Sequence, residues 1–462
     1  MSDKEFLGTD PIGKLIFKLS VPTVVAQLIN MLYNMVDRMY IGHIPKVGEL
    51  ALAGLGVCLP IIMIVSAFAA LVGSGSAPKA SIAMGKKDFD TAEKILGGSF
   101  TIQFFISAIL TAVMLIWNRD LLMAFGASDA TIEYALSYMN IYALGTIFVQ
   151  LTLSMNAFIT AQGFAKTAML SVLIGAIANI VLDPIFIFGF DMGVRGAALA
   201  TIISQALSCI WVVSFLFGKK TLLKIRRKNL FVSPKLILPC LALGTATFIM
   251  QSSESIIFIC FNSSLLKYGG DLAVGAMTVL GSVMQFAMLP LMGISQGAQP
   301  ILSYNFGARN KARIKKAFKI LCISCCTYST ILWLIAMIFP EALTSLFATD
   351  PSFIEFTAKS LRIYLACILL MGAQMACQIT FVSLGNAKAS ILVAIVRKFV
   401  LLLPLIYIVP MFVENKTMGV YLAEPIADFI AVTFTVILFV FQFRKALKAI
   451  DDPNTRQPAA TD

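Results

Sequence analysis

Asp37 and Asp183 are the residues whose chemistry is most exposed by their surroundings. Each stands in an otherwise apolar stretch, YNMVDRMYIG and ANIVLDPIF. An ionised carboxylate there costs several kcal/mol unless a counter-charge, a proton or a metal cation joins it. Asn179 precedes Asp183 by four residues, which puts the two on one helical face, and Thr201 in the next apolar stretch offers a hydroxyl. Two carboxyls, an amide oxygen and a hydroxyl form a hard oxygen donor set. It suits a shared proton or Na⁺, and the residue types do not choose between them. Hydrogen bonding between helices accounts for Asn179 or Thr201 taken alone, whereas two carboxylates in lipid favour function.

The remaining intramembrane charges are Arg38, Glu254, Arg397, Lys398, Glu424 and Asp428. Glu254 lies among Ser252, Ser253 and Ser255, a pattern that lines a cavity and attracts cationic substrates. Glu424 and Asp428 share a helical face and either neutralise Arg397 or Lys398 or contact substrate; both readings stay open. Arg38 snorkels outward. The single histidine, His43, removes most histidine-based acid-base, nucleophilic and metal chemistry. The nine cysteines are scattered through apolar runs, with one cluster at Cys322, Cys325 and Cys326 that lacks companion ligands, so they read as core thiols. Nothing matches the phosphate-binding pattern G-x-x-x-x-G-K-[ST]. No cofactor is expected and the chain does not read as an enzyme.

The elements that must position these residues follow from composition. Of 462 residues 59% are hydrophobic and 13% charged, with a mean hydropathy of +0.88, too little polar surface for a water-soluble globule. Twelve apolar segments, at 14–41, 50–75, 95–117, 131–158, 168–190, 194–217, 236–262, 273–298, 320–339, 356–383, 389–412 and 419–443, are each long enough to cross the bilayer as a helix. None alternates polar and apolar residues as a barrel strand would. The start, MSDKEFLGTDP, lacks the basic and apolar regions of a signal peptide. The expected fold is therefore an all-α integral membrane protein of twelve transmembrane helices.

Lys and Arg set the orientation. Five, Lys46, Arg119, Arg195, Lys267 and Lys416, fall in one set of alternate loops, while the dense runs Lys219–Lys235 and Arg309–Lys319 fall in the other. The positive-inside rule then makes both termini cytoplasmic, and the net charge of +12 reflects topology and attraction to lipid headgroups rather than nucleic acid. Shifting the chain by 222 residues superposes Pro78 on Pro300, Gly85 on Gly307, Tyr142 on Tyr364, and Gly163, Ala165 and Lys166 on Gly385, Ala387 and Lys388. One offset kept over three hairpins means duplication. Six spans per copy is an even number, so the copies form two parallel-repeat six-helix lobes. The expected divisions are an N-terminal lobe at 1–217, a cytoplasmic interlobe loop at 218–235 that forms a short amphipathic segment, a C-terminal lobe at 236–446 and a cytoplasmic tail at 447–462. Asp37 and Asp183 map at this offset onto Ile259 and Leu405, so the lobes are chemically unequal.

LSVPTVVAQLINMLYNMVDRMYIG, ANIVLDPIFIFG and QGAQPILSYNFGARN resemble the MATE family, the multidrug and toxic compound extrusion transporters, over nearly the whole chain, nearest the bacterial MepA-type branch. The resemblance implies a secondary active exporter in the bacterial plasma membrane, working by proton- or sodium-coupled antiport of cationic amphipathic drugs. A monomer with no cofactor is expected, and the resemblance further implies an N-lobe cation site built from Asp37, Asn179, Asp183 and Thr201 and a span 1 that bends around Pro22. Glu254 matches an acid of the NorM-type branch, but span 10 carries no Asp to match its second one, which favours the N-lobe as coupling site. The alternative is a lipid-linked oligosaccharide or lipid flippase of related architecture, which would favour a cavity lined by several Arg and Lys.

Overall fold

The computed structural model describes residues 5–451, so most of the tail expected at 447–462 lies outside the described residues. Every regular element among them is helical. We label the main helices α1 (Ile12–Gly42), α2 (Gly48–Gly85), α3 (Phe89–Ala124), α4 (Ile132–Ala161), α5 (Ala165–Pro184), α6 (Val194–Phe217), α7 (Pro234–Gly307), α8 (Lys311–Ile338), α9 (Pro351–Tyr364), α10 (Ile368–Ser383), α11 (Ala387–Ile395), α12 (Leu403–Phe412) and α13 (Lys416–Asp451). Among the described residues ten helical stretches are long and apolar enough to cross a membrane, and α9 with α10, bent by 44°, make an eleventh. The 74-residue α7 is interrupted at Gly270, whose φ of 62° breaks it into two lengths, which is compatible with twelve spans.

Three spans depart from regular α-helix. Between α9 and α10 the indole N–H of Trp333 on α8 donates to the Ala366 carbonyl at 2.9 Å, and the Ser329 hydroxyl donates to that of Leu369 at 2.9 Å. Side chains that take carbonyls from the helical ladder bend it there. Between α11 and α12 the turns Val396–Leu402 widen to a π-helix, just before Pro404, which has no N–H to close the usual ladder. The turn Ile185–Gly189 is likewise π-helical, directly after Pro184.

The chain divides into two compact units, one of Lys18–Ser81 and Asp88–Ser255, the other of residues through Phe17, Ile82–Lys87 and Ile256 onward. The 222-residue repeat is visible in local geometry. Lys87 and Arg309 both take the left-handed conformation, φ 65° and 56°, and Gly163 and Gly385 do so at 88° and 72°. Asp88 caps α3 by accepting from the Thr91 amide at 3.0 Å, and its counterpart Asn310 caps α8 by accepting from Arg313 at 3.2 Å. Within the second unit, a Cβ built on Gly85 would overlap the Tyr304 carbonyl and one built on Gly307 would overlap that of Ile82. Ile82 and Tyr304 are themselves 222 apart, so the crossing is the same on both sides.

The stretch after α6 is not an amphipathic helix. Apart from the 3₁₀ turn Arg227–Asn229 it runs as an irregular strap with Leu223, Ile225 and Asn229 buried. The Gln162 side-chain oxygen accepts from the amides of Leu222 at 2.8 Å and Leu223 at 2.9 Å, and Glu93 pairs with Arg226 at 2.6 Å. These two side chains tie the strap to α3 and to the end of α4. Gln162→Ala leaves two amides without an acceptor, each costing about 1 to 3 kcal/mol. Trypsin cleavage at Lys219 to Lys224 is then expected to accelerate at least about tenfold in detergent, read as band decay on a gel. An unchanged cleavage rate would mean that Gln162 does not hold the strap.

Candidate functional site

Four helices of the first unit each contribute a pair of polar residues spaced by four, and therefore on one face: Tyr33 and Asp37 on α1, Tyr138 and Tyr142 on α4, Asn179 and Asp183 on α5, Thr201 and Gln205 on α6. Small residues let these helices approach. A Cβ on Gly145 of α4 would strike the Ile202 side chain, one on Gly175 of α5 the Ser208 hydroxyl, and one on Gly196 the Phe186 carbonyl carbon at 2.7 Å. The Ser208 hydroxyl donates to the Ser171 carbonyl at 2.8 Å, fastening α6 to α5.

The result is a buried cluster of oxygens. Asp183 is 0% exposed, Asn179 1% and Asp37 8%. The Asn179 amide donates to Asp183 Oδ1 at 3.3 Å, and the Asp37 carboxyl lies beside that of Asp183. The Tyr138 side chain lies beside Thr201, and that of Tyr33 beside Asn34 and Gln205. Arg38, exposed beside Asp37, contributes a positive field. Asp37 Oδ1, Asn179 Oδ1 and Asp183 Oδ2 are buried without a hydrogen-bond partner. Two carboxyl groups at this separation repel when both are charged, and the unpaired atoms are all acceptors. A proton shared between the carboxyls, or one Na⁺ held by hard oxygens, fits that donor set; a thiol- or imidazole-binding metal does not.

Asp37, Asn179 and Asp183 thus converge, and Thr201 is joined to them through Tyr138. Tyr33, Tyr138 and Gln205 belong to the same cluster and were not singled out by their types, although each of Tyr33 and Gln205 stands four residues from a residue that was. Pro22 lies inside α1, where it removes one ladder hydrogen bond while the Thr23 hydroxyl donates to the Ser20 carbonyl at 2.8 Å. Glu254 is exposed on the first unit, and the neighbouring Ser252 and Ser253 hydroxyls turn back to carbonyls of their own helix. In the second unit Arg397 donates through Nε to Asp428 at 2.9 Å, and its Nη2 lies 2.9 Å from Asp428 and 3.6 Å from Glu424. Lys398 is buried next to it and makes an interaction of its own.

The MatE family model matches this chain twice, over residues 22–185 and 246–408. The chain belongs to the MatE family. Each match covers one copy of the repeat, and the first contains Asp37, Asn179 and Asp183. The multidrug export protein MepA of Staphylococcus haemolyticus (strain JCSC1435) is 25% identical over 434 residues, covering 93% of this chain and 95% of that protein. Among solved structures, MATE in the bent conformation superposes with a TM-score of 0.91 at 23% identity, covering 98% of this chain and 100% of the other. MATE in the straight conformation gives 0.90 at 23% identity, with 97% and 100% covered. At that identity the likeness speaks for the fold, and it places this MatE chain among multi-pass helical membrane proteins.

Proposed function

We propose that this MatE protein is a secondary active multidrug exporter of the bacterial plasma membrane, coupling drug efflux to inward movement of H⁺ or Na⁺, with both termini cytoplasmic. The observation that carries the reading is the buried Asp37–Asp183 pair with its unpartnered acceptor oxygens, set within a matched family segment. Asn179 and Thr201 complete the cation's oxygen shell, and Tyr33, Tyr138 and Gln205 hold those groups in register. Coupling requires that cation and drug bind in mutually exclusive states, so that occupancy of the carboxyls lowers drug affinity on the outer side. Bending of α1 at Pro22 is the proposed link between the site and that change of state, and Glu254 the proposed attraction for a cationic drug. The name of the relatives, multidrug export protein, supports the substrate class.

A one-site exchanger suffices energetically. One cation falling through about 100 mV supplies about 2.3 kcal/mol, roughly a fiftyfold gradient of a neutral substrate. The test is fluorescent-dye efflux from proteoliposomes under an imposed proton gradient and, separately, a sodium gradient. One gradient alone is expected to drive efflux, which names the ion; a rate indifferent to both would refute coupled transport.

A further inference from the structure

Through the sixth helix of each repeat the internal offset is 223 residues, the spacing at which the two family matches end. Gly196, Leu199 and Ala200 then meet Gly419, Leu422 and Ala423, which aligns Thr201 with Glu424 and Gln205 with Asp428. The two positions on α6 that serve the Asp37–Asp183 cluster are therefore acids on α13. The acids of α1 and α5 are in turn absent from the second copy. What faces Glu424 and Asp428 is a side chain: Arg397, 7% exposed, with its guanidinium against residues that are 4% and 3% exposed. The widened turn Val396–Leu402 carries it.

We propose that Arg397 is a built-in cation, its guanidinium held by Glu424 and Asp428 in the second repeat where the first repeat takes its transported ion. The inference rests on the proposed cation site at Asp37 and Asp183. It explains why a duplicated transporter would couple through one lobe. The acids remain, but a tethered charge satisfies them and cannot dissociate, so this lobe exchanges no ion. The charges balance: Glu424 and Asp428 against Arg397 and Lys398 sum to zero. Removing Arg397 leaves one negative charge, enough to hold one monovalent cation.

The test is cation stoichiometry in purified, detergent-solubilised protein, measured with radioactive sodium at equilibrium and, in a parallel arm, as proton uptake after an acid jump. Arg397→Ala is expected to bind one more cation per chain than the parent protein, and Arg397→Ala with Asp428→Asn to lose that extra one. Guanidinium ion should displace sodium from Arg397→Ala and not from the parent. A folded Arg397→Ala protein with no added cation in either arm overturns the proposal. Asp37→Asn judges the first site separately: if it keeps the parent stoichiometry, the coupling assignment fails while the gain on removing Arg397 still decides this one. Should Arg397→Ala not fold, the parent protein is labelled with an apolar carbodiimide, which modifies protonated carboxyls in lipid, and mapped by mass spectrometry. Glu424 and Asp428, ionised against the guanidinium, are expected to stay unlabelled; their labelling overturns the proposal.

Discussion

Asp183→Asn is expected to abolish ion-driven dye efflux while leaving insertion and melting temperature nearly unchanged. Asn keeps the volume and can keep a hydrogen bond to Asn179, so the fully buried position tolerates it sterically. What disappears is the charge by which the cluster is proposed to take up a cation. Under a potential of about 100 mV the accumulation ratio of a neutral dye should fall from roughly fiftyfold toward unity, the loss of about 2.3 kcal/mol of coupling. Asp37→Asn should do the same, and the double variant no more than either single one, because the two carboxyls act as a unit. Facilitated, undriven dye movement is expected to survive in all three. Wild-type efflux by a well-inserted Asp183→Asn protein would end the assignment.

The second large effect is mechanical. Gly85→Val or Gly307→Val places a branched side chain against a carbonyl of the opposing helix, where no rotamer can relieve the clash. Overpacking of well-packed sites costs about 1 to 3 kcal/mol, and contact with backbone rather than a flexible side chain puts these changes at or above the upper end. Both should lower the melting temperature in detergent sharply and by similar amounts. Gly13→Ala and Gly56→Ala, where an added Cβ meets nothing within 4 Å, serve as controls and should be near neutral. Equal melting of Gly85→Val and Gly56→Ala would show that the crossing is looser than its geometry implies.

Much of this architecture can be read in the chain because the bilayer simplifies the problem: apolar runs of the right length must be helices, and the 222-residue offset pairs residues that adopt the same turns, as at Lys87 and Arg309. The proximity of Asn179 to Asp183 follows from their spacing. Tyr138 is harder to see, since it arrives from α4 through close packing at Gly145 and no short-range pattern reports it. The break at Leu365–Cys367 is hidden for a similar reason: its cause, Trp333, is 33 residues away in sequence. Arg397 and Lys398 are indistinguishable by type and neighbourhood. Which of them meets Asp428 is decided by the register of the widened turn ahead of Pro404.

The glycine crossing bears on how such a chain could arise. Gly85 meets residue 304 and Gly307 meets residue 82, so the contact is self-complementary. Two copies of a half-length ancestor could form it with each other as an isologous homodimer, one glycine codon serving both sides. Fusion into a single gene leaves that geometry untouched and releases every position away from it to evolve independently, so that Asp37 and Asp183 stand in one half alone and Arg397 faces Glu424 and Asp428 in the other.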